Sequence, residues 1–158
     1  MNILEQSYQV PFASNMIHAK KWHTDVTDHA LAPIILMHDS LGCVALWRDF
    51  PAQLAQATTR VVYTYDRLGF GLSDASTQPL AHSFVITEAE QTFKAVLDYF
   101  SIQDFVILGH SVGGGMSVAI AAAYPERCQG LISISAQYSV EALTLKGISE
   151  AKVGFQQA

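Results

Sequence analysis

The sequence predicts an α/β fold, a mostly parallel sheet with helices on both faces. Three observations carry that expectation. Strand-type segments dominated by apolar runs recur at 33–37, 61–65, 104–108 and 130–135, as strands buried on both faces do. Between them lie longer segments whose apolar residues repeat at three- and four-residue spacing, the mark of helices packed on a sheet. Three of the runs also give way at their carboxyl ends to loops rich in glycine and polar residues. Right-handed crossovers would gather those loops along one edge of the sheet, where open α/β sheets place their ligands.

In chain order, residues 7–10 and 16–24 alternate loosely, as an N-terminal hairpin of edge strands does. His18, His23 and His29 fall in or just after it at spacings that match no metal pair, so they are expected to be exposed hairpin histidines. Residues 25–29 form a polar turn. Pro33-Ile34-Ile35-Leu36-Met37 is a buried strand that stops at His38-Asp39-Ser40-Leu41-Gly42. A helical pattern follows, with Val44, Leu46, Trp47, Phe50, Leu54 and Ala55 on one face, and Pro51 marking either a break or a fresh start. The strand at 61–65 ends in the turn-rich loop 66–74, which continues through 79–83. Residues 84–100 form an amphipathic helix with Ala89, Phe93, Val96, Leu97 and Phe100 inward. The strand at 104–108 leads through a glycine-rich turn into an alanine-rich helix at 112–124, closed by Pro125. The strand at 130–135 is the sixth, and residues 139–158 read as one helix or two with Ser139 as N-cap.

Composition narrows the function. Half of the 158 residues are apolar and 15% are charged, enough for one domain with a core. A net charge of −5 without any basic run argues against nucleic acid as a partner. Two cysteines, Cys43 and Cys128, make neither a disulfide framework nor a metal cluster. No signal-peptide pattern opens the chain and no apolar run is long enough to span a membrane. The expectation is a cytoplasmic protein without membrane contact, cofactor or metal.

The most informative stretch is Gly109-His110-Ser111-Val112-Gly113, between an apolar strand and a helix. Gly-x-Ser-x-Gly in that context is the pattern of a nucleophile elbow, which lifts a serine hydroxyl above the sheet edge. Gly109 and Gly113 remove the side chains that would collide where strand and helix approach. The first amides of the new helix have no partners within it and point towards any oxyanion forming near Ser111.

Together with the other two loops, this stretch resembles the α/β-hydrolase family from about residue 7 to residue 135. His38-Asp39-Ser40-Leu41-Gly42 is similar to the family's His-Gly-x-x-Gly oxyanion loop, with Asp39 where glycine is usual. Asp66-Arg67-Leu68-Gly69-Phe70-Gly71-Leu72-Ser73 is similar to its Asp-x-x-Gly-x-Gly-x-Ser loop, and Tyr124-Pro125-Glu126-Arg127 to the end of its elbow helix. The resemblance implies an α/β-hydrolase fold in which Ser111 is the nucleophile and the backbone N–H groups of Ser40 and Val112 form the oxyanion hole. His38, Gly42, Asp66, Gly69, Gly71, Gly109 and Gly113 would shape the supporting loops, His38 bracing the oxyanion loop without acting as base. It implies that His110 points away from the serine into packing. The implied substrate is a small-molecule ester or related acyl compound. A halide-displacing enzyme of the same fold would carry aspartate at 111. Trp47, Phe70 and Met116 are expected in the core more than in a pocket.

In that family the acid and then the histidine of the triad follow the serine. Here 47 residues follow Ser111, none a histidine, and Glu126, Glu141 and Glu150 do not stand just past an apolar strand. A serine without a base is a poor nucleophile. Residues 1–136 are therefore expected to be the N-terminal part of a hydrolase core, cut off after about the sixth strand, and 137–158 the helical start of a cap. As written, the chain is expected to be an inactive or incomplete serine hydrolase. The alternative is a non-catalytic binding module on the same sheet, its exposed edge covered by self-association or by a second chain that also brings the acid and base.

Overall fold

A computed structural model describes residues 2–136 and 141–157. The chain opens with a long antiparallel hairpin, β1 (Ile3–Phe12) and β2 (Asn15–Thr24), in register from Ile3 opposite Thr24 to Phe12 opposite Asn15. β1 starts earlier than alternation predicts. The segment Ile3 to Ser7 carries no clear alternation, and cross-strand pairing holds it: the Lys20 ammonium lies 3.1 Å from Glu5, and the Trp22 indole N–H donates to the same carboxylate at 3.1 Å.

Then come β3 (Ile34–Met37), a 3-10 turn (Val44–Trp47), α1 (Phe50–Thr58), β4 (Val62–Tyr65), a continuous helical run of α2 (Phe84–Thr87), a π segment (Glu88–Thr92) and α3 (Phe93–Tyr99), β5 (Phe105–His110), α4 (Val112–Ala123), β6 (Cys128–Ile134) and α5 (Ala142–Gln157). Pro51 lies in the first turn of α1, so it starts a helix, as its missing N–H and fixed φ favour. The π turn widens the helical run over residues 88–92, an interruption that the regular spacing of apolar residues does not reveal.

The six strands lie in the order β1-β2-β4-β3-β5-β6. The hairpin joins β4 antiparallel through β2, and β4, β3, β5 and β6 run parallel. The apolar runs end up on both faces at once, as continuous runs must. Ile35, Tyr65, Phe105 and Ile107 pack with Val10, Ile17, Phe93, Met116 and Ile120 on the side of α3 and α4. Ile34, Leu36, Val62 and Leu108 pack with Trp22, Val44 and Ala55 on the side of α1.

β6 is the exception. Its sequence reads as a buried strand, yet Leu131, Ile132 and Ile134 are 42%, 46% and 43% exposed, because among the described residues it pairs with β5 alone. α5 is one helix; Ser139, its expected N-cap, lies outside the described residues. Its side chains through Gly154 are exposed apart from the half-buried Thr144. Among the described residues no helix is long and apolar enough to cross a membrane.

One expectation is corrected in the hairpin. His18 is not an exposed hairpin histidine: it is buried, and its Nδ1 donates to the Asp66 carboxylate at 2.8 Å. β2 is an inner strand against β4, so residue 18 meets the loop that follows β4. His29 is exposed and His23 half-buried, their rings 6.4 Å apart.

Candidate active site

The loops after β3, β4 and β5 meet at the carboxyl edge of the parallel strands, as crossover topology requires. The turn after β5 is the most constrained. Ser111 has φ 56° and ψ −122°, in a region non-glycine residues rarely occupy, and α4 begins at the next residue. Its own N–H is held by the Ile134 carbonyl of β6 at 2.8 Å, and its carbonyl accepts from Gly114 N at 2.9 Å. The hydroxyl caps none of the helix's amides. The close approach needs glycine on both sides. A Cβ on Gly109 would overlap the Gly113 carbonyl, and a Cβ on Gly113 would overlap the carbonyls of Met37 and His38.

Val112 N–H opens α4 and Ser40 N–H lies in the loop after β3; no backbone or side-chain acceptor among the described residues takes either. The loop 38–42 is fixed from below. His38 is buried, its Nδ1 2.9 Å from the Asp39 carbonyl, to which it donates, while Nε2 accepts the Arg67 backbone N–H at 3.1 Å. Burial, reinforced by the Arg67 guanidinium, lowers its pKa from 6.5 to about 4. His38 is thus a neutral brace. Asp39 is absent from the positive-φ residues, so aspartate fits this loop without strain.

This pKa shift has a consequence for stability. The unfolded chain binds a proton at residue 38 between about pH 6.5 and about pH 4, where the folded chain does not. The stability from neutral His38 is complete above pH 6.5 and is lost as pH falls towards 4, on the order of 3 kcal/mol in all. Urea unfolding between pH 7 and pH 4.5 should show this slope in the wild type and a shallower one in His38→Gln; parallel slopes would refute it.

Asp66 organises the third loop. Buried, it accepts Val44 N–H at 2.6 Å, Leu72 N–H at 2.9 Å and the His18 imidazole. Gly71, at φ +53°, lies so close over the carboxylate that a Cβ there would overlap it, and Gly69 turns the loop at φ +84°. Gly42 donates to the Asp39 carbonyl at 3.3 Å. Every loop residue singled out in the sequence therefore falls at this one edge.

Three residues beneath the site escaped the sequence reading. Arg67, 3% exposed, donates to the carbonyls of Asp39 at 2.6 Å and Ser40 at 3.5 Å and stacks over Phe70, its guanidinium carbon 4.3 Å from the ring centre. The Tyr65 hydroxyl donates to Glu88 at 2.6 Å, and burial pushes the Glu88 carboxyl up and the Tyr65 hydroxyl well above its ordinary value. A tyrosine in an apolar strand and a glutamate in an amphipathic helix carry no local signal of such pairing; they meet where the π segment begins, once the helical run packs on the sheet.

Other expectations divide. Met116 is buried in the core. Phe70 covers Arg67 and His38. Trp47 lines a cavity of about 150 Å³ with His38, Asp39, Gly42, Cys43, Leu46 and His110. His110 does not pack into the core as expected. It is half-exposed, its Nδ1 3.7 Å from the Asp39 carboxylate, because β5 aims it at the loop after β3. Among the described residues no cluster of three or more His, Cys, Asp or Glu is placed to hold a metal.

A family model described as alpha/beta hydrolase fold matches residues 32–154. Among curated proteins, the chain is similar to the (Lyso)-N-acylphosphatidylethanolamine lipase of Bos taurus, 26% identical over 136 residues that cover 85% of this chain and 39% of that one. It is also similar to the 1-acylglycerol-3-phosphate O-acyltransferase ABHD5 of Homo sapiens, 31% identical over 107 residues, 65% of this chain and 29% of that one. Among solved structures, the proline iminopeptidase of Mycobacterium smegmatis superposes with a TM-score of 0.74 at 25% identity, over 85% of this chain and 45% of that one. The carboxylesterase CesB of Bacillus subtilis, at 20% identity and a TM-score of 0.69, covers 93% of this chain and 50% of its own, a likeness of fold alone. The chain spans 39% of the length of the lipase and 45% of that of the peptidase.

Proposed function

The chain belongs to the alpha/beta hydrolase fold family, and on that premise we propose that Ser111 is the nucleophile of an acyl-ester hydrolase. The observation that carries this reading is the backbone of Ser111, held at positive φ between two glycines whose Cβ atoms would collide, next to the Val112 amide, which like that of Ser40 in the loop after β3 has no acceptor among the described residues. Strain of that kind at a serine is characteristic of functional sites. The Ser111 Oγ attacks the substrate carbonyl carbon while its proton passes to a base. The carbonyl oxygen becomes an oxyanion held by the N–H groups of Ser40 and Val112. Collapse expels the alcohol with a proton and leaves an acyl-serine, which water hydrolyses by the same steps.

The base and the acid that orients it have no candidate after Ser111, where the chain holds no histidine. His38 is engaged at both nitrogens, so it supports the loop and takes no proton from the serine. We assign base and acid to a segment that adds to the sheet beyond β6, and α5 to the beginning of a cap over the site. An acylated glycerophospholipid or similar ester is the substrate class suggested by the names of the lipase and acyltransferase relatives.

A second reading is favoured by the same lack of a histidine after Ser111: the elbow is retained without activation, and the sheet serves as a binding module. One experiment separates the two. With the base- and acid-bearing segment present, incubation with a fluorophosphonate followed by intact-mass measurement is expected to add one phosphonyl group, and Ser111→Ala to abolish the addition. A folded protein that takes no label even with that segment present would favour the binding module.

A further inference from the structure

Asp39 stands between the two sources of the oxyanion hole. Its backbone carbonyl accepts from Arg67 at 2.6 Å and from His38 at 2.9 Å, which pins the loop after β3 from beneath. Its side chain reaches both ways. Oδ1 accepts the Leu41 N–H at 3.1 Å, closing the turn that presents Ser40, while Oδ2 faces His110 Nδ1 at 3.7 Å. His110 is the last residue of β5 and immediately precedes Ser111, so one carboxylate touches both the oxyanion loop and the elbow.

We propose that the Asp39 carboxylate is a strut between these two loops: by holding Leu41 N–H on one side and His110 on the other, it sets the separation of Ser40 N–H from Val112 N–H. The proposal rests on the reading of Ser111 as nucleophile and assigns Asp39 and His110 as positioning residues. Neither touches the reacting atoms. The two side chains are 41% and 46% exposed, so solvent screens their attraction and its effect on overall stability is slight. Geometry is where it counts. Losing an oxyanion donor outright slows such reactions roughly a hundredfold or more, and sites of this kind tolerate only about 0.5 Å of displacement.

Two substitutions at Asp39 separate the arms of the strut. Asp39→Ala removes both contacts, whereas Asp39→Asn keeps an oxygen for Leu41 N–H but withdraws the charge from His110. The test compares fluorophosphonate labelling rate with hydrogen exchange of the amides at 39–42. Asp39→Ala is expected to speed exchange there and to slow labelling about tenfold. Asp39→Asn is expected to retain the slow exchange yet still label several-fold more slowly. His110→Gln should match Asp39→Asn, and the double variant should be no slower than either single one. A merely structural aspartate predicts that labelling follows exchange, so Asp39→Asn behaving as wild type in both overturns the strut, as does additivity in the double variant. If the wild type takes no label with the base- and acid-bearing segment present, the nucleophile reading fails and with it the positioning role. The strut itself is then decided by exchange of the Ser111 amide, bonded to the Ile134 carbonyl, which Asp39→Ala must accelerate and which, unchanged, refutes it.

Discussion

Asp66→Ala is expected to lower the free energy of unfolding by about 4 kcal/mol. The buried carboxylate takes hydrogen bonds from Val44, Leu72 and His18, three groups from the 3-10 turn, the third loop and the hairpin. Alanine leaves all three donors facing a void where water has little room. Each unsatisfied buried donor costs about 1–3 kcal/mol, against a total stability of about 5–15 kcal/mol for a domain. Asp66→Asn should lose about half as much, since its amide keeps one oxygen as acceptor but turns N–H groups towards other donors. Urea midpoints at pH 7 with an unchanged m-value provide the measurement. Equal midpoints for Asp66→Ala and wild type would mean that the loops are held by the core alone.

Gly113→Ala should have the other large effect, and here two terms oppose each other. Alanine in a helix is better than glycine by about 1 kcal/mol. The new Cβ, however, falls on the carbonyls of Met37 and His38. Those atoms belong to the end of β3 and to the brace under the loop 38–42, which cannot yield without moving the sheet. Overpacking against backbone costs about 1–3 kcal/mol or more, so collision wins and the variant is destabilised. Displacing the start of α4 also moves Val112 N–H, and labelling of Ser111 should fall about a hundredfold. Gly115 is the control: a Cβ there meets nothing within 4 Å. Gly115→Ala is expected to stabilise by about 0.5–1 kcal/mol, as helix propensity alone dictates. Similar behaviour of the two variants in thermal unfolding and labelling would exclude the close approach as the reason for glycine at 113.

The parts of this molecule legible in its sequence are those governed by local rules. Runs such as Ile34 to Met37 and Val62 to Tyr65 declare buried strands because both faces need apolar side chains, and right-handed crossovers gather the loops that follow them at one edge. Ser111 is legible because two glycines and a strand-to-helix change leave few other conformations. What the sequence hid depends on residues far apart in the chain. His18 reads as a hairpin histidine because its partner is 48 residues away, and it becomes buried only when β2 pairs with β4. Arg67 lies inside a recognisable loop, yet its role beneath Asp39 and Ser40 exists only once the β3 and β4 loops meet. The start of β1 was missed because ion pairing and ladder bonds, with no hydrophobic period, extend it to Ile3.

The hydrogen bond from Ser111 N–H to the Ile134 carbonyl ties the strained elbow to the last residue of an uncovered strand. Edge strands fray before inner ones, so with β6 paired on one side alone among the described residues, the backbone of Ser111 opens with β6 and not with the core. Its amide exchange then measures the order of that edge at a distance. The linkage runs in both directions. Any event that orders β6 lowers the free energy of the turn with Ser111 at positive φ, and an adduct on Ser111 that favours this geometry must order β6 by the same factor.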